Sequence, residues 1–209
     1  MGIVELYKDD FEHAANDLEN ASRMGGPDSV LTVNFKFRAW VELDHQDDVV
    51  TYCQQLFSRA SDPTKIILYY WMGRALGLKG KFKEANADFD LGIALYDKLP
   101  SNQRDNTIMA YYALLEARGG KPKVALQMIE QVVANDSSSS LPHYWKARVL
   151  AIQGDKAKAL SELAKAVAIR YRFSEIVDLD FLSMWHDQQF SQQFWSAIKR
   201  NTGAAEPAR

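Results

Sequence analysis

Two stretches of this chain carry nearly the same set of reactive side chains: Ile67-x2-Tyr70-Trp71-x2-Arg74 and Leu141-x2-Tyr144-Trp145-x2-Arg148. Trp and Tyr offer large contact areas with few rotamers to freeze. Arg pairs with a carboxylate through two parallel hydrogen bonds or stacks on a ring. The chemistry of such a set is recognition, and it suits an extended or helical segment with apolar anchors and one or two acidic groups. An aromatic residue also stands at Phe37, Trp71, Tyr111 and Trp145, with spacings of 34, 40 and 34 residues.

Chemistry of other kinds finds little support. His13, His45, His143 and His186 lie far apart in sequence, with no i, i+4 pair and no cysteine cluster of the sort zinc takes. Gly73, Gly77 and Gly80 fall on a helix and its end, so they form no phosphate-cradling loop. Asp and Glu are spread over helix faces expected to be solvated, and Lys158 with Glu162 reads as an ordinary i, i+4 pair. The expectation is a chain that is no enzyme and holds neither cofactor nor metal.

The net charge of -2 over 209 residues argues against general attraction to nucleic acid or to an anionic membrane. No apolar run approaches the length needed to span a bilayer, and the start lacks a basic segment followed by an apolar one. With one cysteine there is no intrachain disulfide. These features fit the cytoplasm, although a truncated start could have lost a signal peptide or anchor.

A period near 34 predicts an array of helical hairpins, and arrays present extended surfaces that hold other molecules. Hydrophobic spacing and breakers place helices at roughly 2–7, 9–23, 29–43, 48–60, 64–78, 82–98, 103–118, 122–135, 141–153 and 156–170. Pro-containing turns such as Ser61-Asp62-Pro63 separate hairpins. Gly80, Gly120 and Gly154 fall inside them, where a residue past a helix end often needs positive φ. Six extra residues between the third and fourth copies read as a longer loop or an added helical turn around Tyr96 to Asn106. The Ser137 to Ser140 run reads as a solvated loop, with a phosphorylation cluster as the alternative.

The third copy, Tyr69-x2-Met72-Gly73-x2-Leu76, then Gly80, Phe82, Ala85-x3-Phe89 and Pro100, resembles the tetratricopeptide (TPR) pattern. Further copies run from Met109-x2-Tyr112-Ala113 to Ala125-x3-Ile129 and from His143-x2-Lys146-Ala147 to Ala159-x3-Leu163. Upstream, Phe35-x2-Arg38-Ala39 opens a copy whose second helix carries Cys53-x3-Phe57, with two extra residues assigned to the turn around His45 to Asp48. In that place Cys53 is a core residue rather than a reactive thiol. The earliest copy is broken, as if the chain began inside a repeat. The resemblance implies an all-α fold, a right-handed TPR superhelix of antiparallel helix pairs, with about 4.5 repeats over residues 1–172.

After Arg170 the period fails. The stretch containing Leu179, Asp180, Leu182, Trp185, Phe190, Phe194 and Trp195 resembles the closing helices of bacterial TPR arrays. Residues 173–200 are therefore expected to cap the last repeat, and 201–209 to be a disordered tail. The alternative is that these aromatics form an exposed docking patch.

In the TPR arrangement the first helix of each pair lines a concave face. Carried over, the groove positions are Lys36, Phe37 and Trp40 in the second copy, and Ile67, Tyr70, Trp71 and Arg74 in the third. The fourth gives Ala110, Tyr111 and Leu114, and the fifth Leu141, Tyr144, Trp145 and Arg148. The partner-binding set is accordingly Lys36, Phe37, Trp40, Tyr70, Trp71, Arg74, Tyr111, Leu114, Tyr144, Trp145 and Arg148, with Arg74 and Arg148 expected to be exposed. The competing reading wedges the aromatics between neighbouring helices, where they set curvature alone. The family's clamp on a C-terminal carboxylate is not matched, because Tyr70, Arg74, Tyr111, Leu141 and Trp145 supply one basic residue at its five positions. The resemblance implies a protein-interaction module for a peptide or helix of a protein partner, with homo-oligomerisation left open. The alternative is a regulatory or sensor domain of a larger signalling or transcription-regulating protein, acting by intramolecular contacts or dimerisation.

Overall fold

A computed structural model describes residues 13, 17, 37, 40, 41, 43–169, 179–181, 184, 192 and 196. Among these residues there are helices and turns and no strand. The chain divides into two compact units, residues 1–103 and 104–209.

In the first unit, helices α1 (Gln46–Phe57), α2 (Asp62–Leu78) and α3 (Phe82–Lys98) pack in sequence, α1 on α2 and α2 on α3. The second unit contains α4 (Asn106–Arg118), α5 (Pro122–Asn135), α6 (Ser140–Ile152) and α7 (Lys156–Ala168), followed by a 3-10 turn at Leu179–Phe181. Here α4 packs on α5 and α6, α5 on α6, α6 on α7, and the 3-10 turn lies against α6. Consecutive helices thus pair as hairpins, the arrangement expected from the period. The expected helix at 2–7, all of 9–23 but residues 13 and 17, and most of 29–43 lie outside the described residues, as do most of 173–200 and all of 201–209.

The two kinds of helix differ in how much of their circumference they bury. In α3, Ala85, Phe89, Gly92, Ile93 and Tyr96 are buried at spacings of three and four, one apolar stripe facing its partner. In α2, by contrast, Ile66, Ile67, Leu68 and then every residue from Tyr70 to Ala75 are buried. A helix apolar on nearly all sides must be enclosed on nearly all sides, and α4 and α6 follow the same rule. This enclosure decides the state of the side chains expected to face a groove.

Closure of the hairpins is uniform. The amide of Lys81 donates to the Leu76 carbonyl at 2.9 Å, Lys121 to Glu116 at 2.8 Å, and Asp155 to Leu150 at 3.0 Å. Each turn puts a glycine in the left-handed region, Gly80 at φ +73°, Gly120 at +79° and Gly154 at +78°. Ahead of α1 the same bond runs from His45 to Trp40 at 2.7 Å, with Asp44 at φ +62° in the glycine's place. Aligning Asp44 with Gly80 corrects the register of the second copy by two residues. There is no enlarged turn at His45 to Asp48. Phe37 takes the place of Gly73 and Trp40 that of Leu76, so neither Phe37 nor Trp40 is equivalent to a groove position of the later copies.

Helix starts follow capping chemistry. Ser61 accepts from the Thr64 amide, Asp105 from Ile108 at 2.9 Å and Asp155 from Lys158 at 3.2 Å. The longer linker between α3 and α4 holds a 3-10 turn at Ser101–Gln103, so it is a loop rather than an added turn of α-helix. In the serine run, Ser138 donates to Asp136 and Ser140 begins α6.

Gly73 fixes the approach of α2 to α3. A Cβ there would lie 2.4 Å from the Phe89 ring and 2.9 Å from the Ala85 carbonyl oxygen. Gly73→Ala is expected to destabilise the first unit by about 1–3 kcal/mol, the usual cost of overpacking, although alanine is the better helix former by about 1 kcal/mol. Chemical denaturation measures it; a stabilised variant would show that the two helices separate freely.

The first unit also buries acid chemistry. Cys53 is fully buried, and burial first, with the nearby Asp88 charge second, pushes its thiol well above the usual range. Burial likewise raises the half-buried Asp88 carboxyl to about 6. A carboxyl that binds its proton more tightly when folded costs stability as pH rises from about 4 through 6, and the whole cost is present above that range. Asp88→Asn is therefore expected to stabilise the unit by about 1–2 kcal/mol at pH 7.5, after allowance for partial exposure, and to have little effect near pH 3.5. Melting curves at the two pH values check the sign.

Candidate partner-binding site

In the first unit Tyr70, Trp71 and Arg74 come together on α2. The Arg74 guanidinium lies 5.3 Å from the Trp71 ring centroid, and its Nη1 donates to the Tyr70 hydroxyl at 3.3 Å. The Trp71 ring is 5.5 Å from Tyr70 and 5.7 Å from Phe37. Phe37 is also 6.0 Å from Tyr52 and 6.2 Å from Trp40, with Trp40 5.6 Å from Tyr52. These are tilted and edge-to-face contacts of a packed aromatic cluster.

In the second unit the corresponding residues of α6 hold a segment of the chain itself. The Arg148 Nε donates to Asp180 Oδ2 at 2.7 Å, and Arg118 Nη2, from the end of α4, donates to Asp180 Oδ1. The neighbouring Phe181 ring lies 6.1 Å from that of Tyr144, and the Arg148 guanidinium is 5.7 Å from the Tyr144 ring. Asp180, Phe181 and Met184 are all buried. Asp180 thus lies between two guanidiniums, with the Phe181 ring beside that of Tyr144.

Burial corrects the expected exposure. Arg74 is 4% exposed and Arg148 3%, and Arg148 is already engaged with an internal carboxylate. Trp71 is 4% exposed and Trp145 7%. Phe37, Tyr70, Tyr111, Leu114 and Tyr144 are buried as well, while Trp40 is half-buried. Lys36 lies outside the described residues. The physical reason is the enclosure of α2, α4 and α6 on nearly every side.

Three buried acids were missed by a reading that placed carboxylates on solvated faces: Glu116, Glu162 and Asp180. Glu162 on α7 lies 2.7 Å from His143 Nδ1 on α6, accepts from Lys165 Nζ at 2.9 Å and faces Lys146 Nζ at 3.5 Å. Burial raises the Glu162 carboxyl, but the bonds from Lys165 and His143 and the nearby lysine charges outweigh it, so the net shift is downward. The expected Lys158–Glu162 pair is not the one formed, since Lys158 Nζ binds Asp155 at 2.8 Å. A carboxylate three residues before Lys165 and on the face shared with His143 was the available signal.

Among the described residues no three His, Cys, Asp or Glu side chains gather as a metal site, and no helix is long and apolar enough to cross a membrane. Hairpins closed by one repeated turn, with Gly73 against Phe89 where the TPR pattern sets a small residue against a large one, decide the architecture. The fold is a TPR-like helical repeat.

No family model matches the chain. Cell division cycle protein 27 homolog A of Arabidopsis thaliana is 38% identical over 58 residues, 28% of this chain and 8% of that protein's length. Among solved structures, MamA is 16% identical, with 81% of this chain and 94% of that chain covered and a TM-score of 0.39. A Podosopora anserina putative kinesin light chain with nearly identical TPR-like repeats is 16% identical over 81% and 91% of the two chains, at a TM-score of 0.42. YrrB, described as a TPR protein with an unusual peptide-binding site, is 14% identical over 91% and 94%, at 0.38.

Proposed function

We propose that this TPR-like chain is a protein–protein interaction module that holds a peptide or helix of a partner through the aromatic and arginine side chains of its first helices. The supporting observation is the binding of Asp180 and Phe181 by Arg118, Arg148 and Tyr144. In this reading Trp145 shapes the same site, and Tyr70, Trp71 and Arg74 form the related set of the first unit. Lys36, Phe37, Trp40, Tyr111 and Leu114 act by supporting these sets. Residues 173–200 cap the last hairpin, with the Leu179–Phe181 turn as a releasable part of that cap. The partner is a protein segment with apolar and acidic groups, and no nucleic acid, membrane insertion or cofactor enters.

Selection from a library of displayed peptides against the full chain tests the reading. Sequences with Asp or Glu beside a large apolar residue are expected to be enriched, and Arg148→Gln is expected to abolish their capture. Enrichment without acidic residues, or enrichment that Arg148→Gln leaves untouched, would sink it. A second reading, a regulatory domain of a larger chain acting by intramolecular contacts, draws support from the same contact because its ligand is intrachain. It predicts that the acidic–apolar sequence recognised belongs to the longer protein itself.

A further inference from the structure

Arg118 is held by half of its recognition edge. Its Nη2 meets Asp180, while its Nε, shielded although the side chain is 31% exposed, has no acceptor among the described residues. A guanidinium presents Nε and Nη as a fork matched to both oxygens of one carboxylate. Asp180 instead divides its oxygens between Arg118 and Arg148 and leaves one arm of the fork unused. The intrachain segment is therefore an imperfect ligand for the groups around it. Its described contacts with this site are the Asp180 carboxylate and the Phe181 ring.

We propose that Leu179–Phe181 is an intramolecular occupant that gates the Arg118–Arg148–Tyr144 site. The partner segment it excludes presents an aspartate followed directly by an aromatic residue, together with a further acceptor that satisfies Arg118 Nε. The proposal rests on the reading of this site as a segment-recognition site. A tethered occupant competes at an effective concentration on the order of millimolar, so it reduces the affinity of an external segment by the fraction of time the site is closed. The partner must therefore gain from the acceptor that the occupant lacks.

The test uses the full chain and a fluorescein-labelled synthetic peptide with the sequence of residues 177–184, read by anisotropy. The peptide is expected to bind the Asp180→Ala, Phe181→Ala double variant at least tenfold more tightly than the unaltered chain. A control peptide with both of these residues replaced by alanine is expected to bind neither. If the labelled peptide binds both chains equally, the gate is overturned while recognition stands. If it binds neither although the variant keeps its helicity, recognition itself fails.

Stability gives an independent readout. Once either anchor is lost the turn is undocked, so the double variant should lose no more stability than the worse of the two single variants. Additive losses, or a double variant that does not fold, would make the turn an integral part of the unit and overturn the gate.

Discussion

Trp71→Ala is expected to cost the first unit about 3–5 kcal/mol, the range for emptying a buried aromatic site. The ring is 4% exposed and is surrounded by Phe37, Tyr70 and Arg74 at 5.3–5.7 Å. Its loss removes the cation–π partner of Arg74 as well as the packing surface of Phe37. An arginine that is itself buried then loses compensation for part of its desolvation. Denaturation of the variant measures the cost, and a soluble quencher applied to single-tryptophan variants retaining Trp71 measures the protection of its ring. A loss below about 1 kcal/mol with an accessible indole would mean that the ring adds little to the packing of the unit.

The helical hairpins were legible because their determinants are local. Apolar spacing, Pro at a helix start and Gly at positive φ are written in adjacent residues, and α3 and α5 match the expected spans at both ends. Failure came where a marker changed identity. Asp44 performs the turn that glycine performs in the later copies, and α1 has no side-chain cap to mark its start. The second copy was consequently aligned on Phe37, whose distance of 34 residues from Trp71 matched the period by coincidence. At α4 the start falls at Asn106, behind the Asp105 cap, rather than near 103, because Ser101–Gln103 forms a 3-10 turn.

The candidate site was legible as a set of residue types, and its contacts were not. Tyr144, Trp145 and Arg148 announce a taste for a carboxylate beside an apolar group, but nothing in that stretch says where the carboxylate comes from. Asp180 lies beyond the end of the repeat period, on a segment whose spacing follows a different rule. Its pairing with Arg118 and Arg148 depends on the end of α4 meeting the middle of α6, which is a tertiary fact. The same holds for exposure. A groove position in a single repeat is a surface only until the rest of the unit is added, and in α2 and α6 the arginines are buried.

Glu162→Ala is expected to cost the second unit about 2–4 kcal/mol. The carboxylate is buried and ties α7 to α6 through His143 while accepting from Lys165 and facing Lys146. Removing it leaves the buried His143 without its partner and the largely buried Lys146 without its countercharge, while Lys165, 53% exposed, returns to water. The acid response supplies the sharper check. Because the folded carboxyl lies below its ordinary value, its contribution is fully present above the unfolded pKa near 4.5 and is lost as pH falls through the folded value. Asp88 in the first unit has the opposite sign, gaining stability as pH falls from about 6. Glu162→Gln should therefore flatten the acid limb of the second unit's stability profile, while Asp88→Asn removes the decline between about pH 4 and 6 in the first. Unchanged acid melting in Glu162→Gln would show that the cluster holds no net stabilising charge, and that helix packing alone joins α6 to α7.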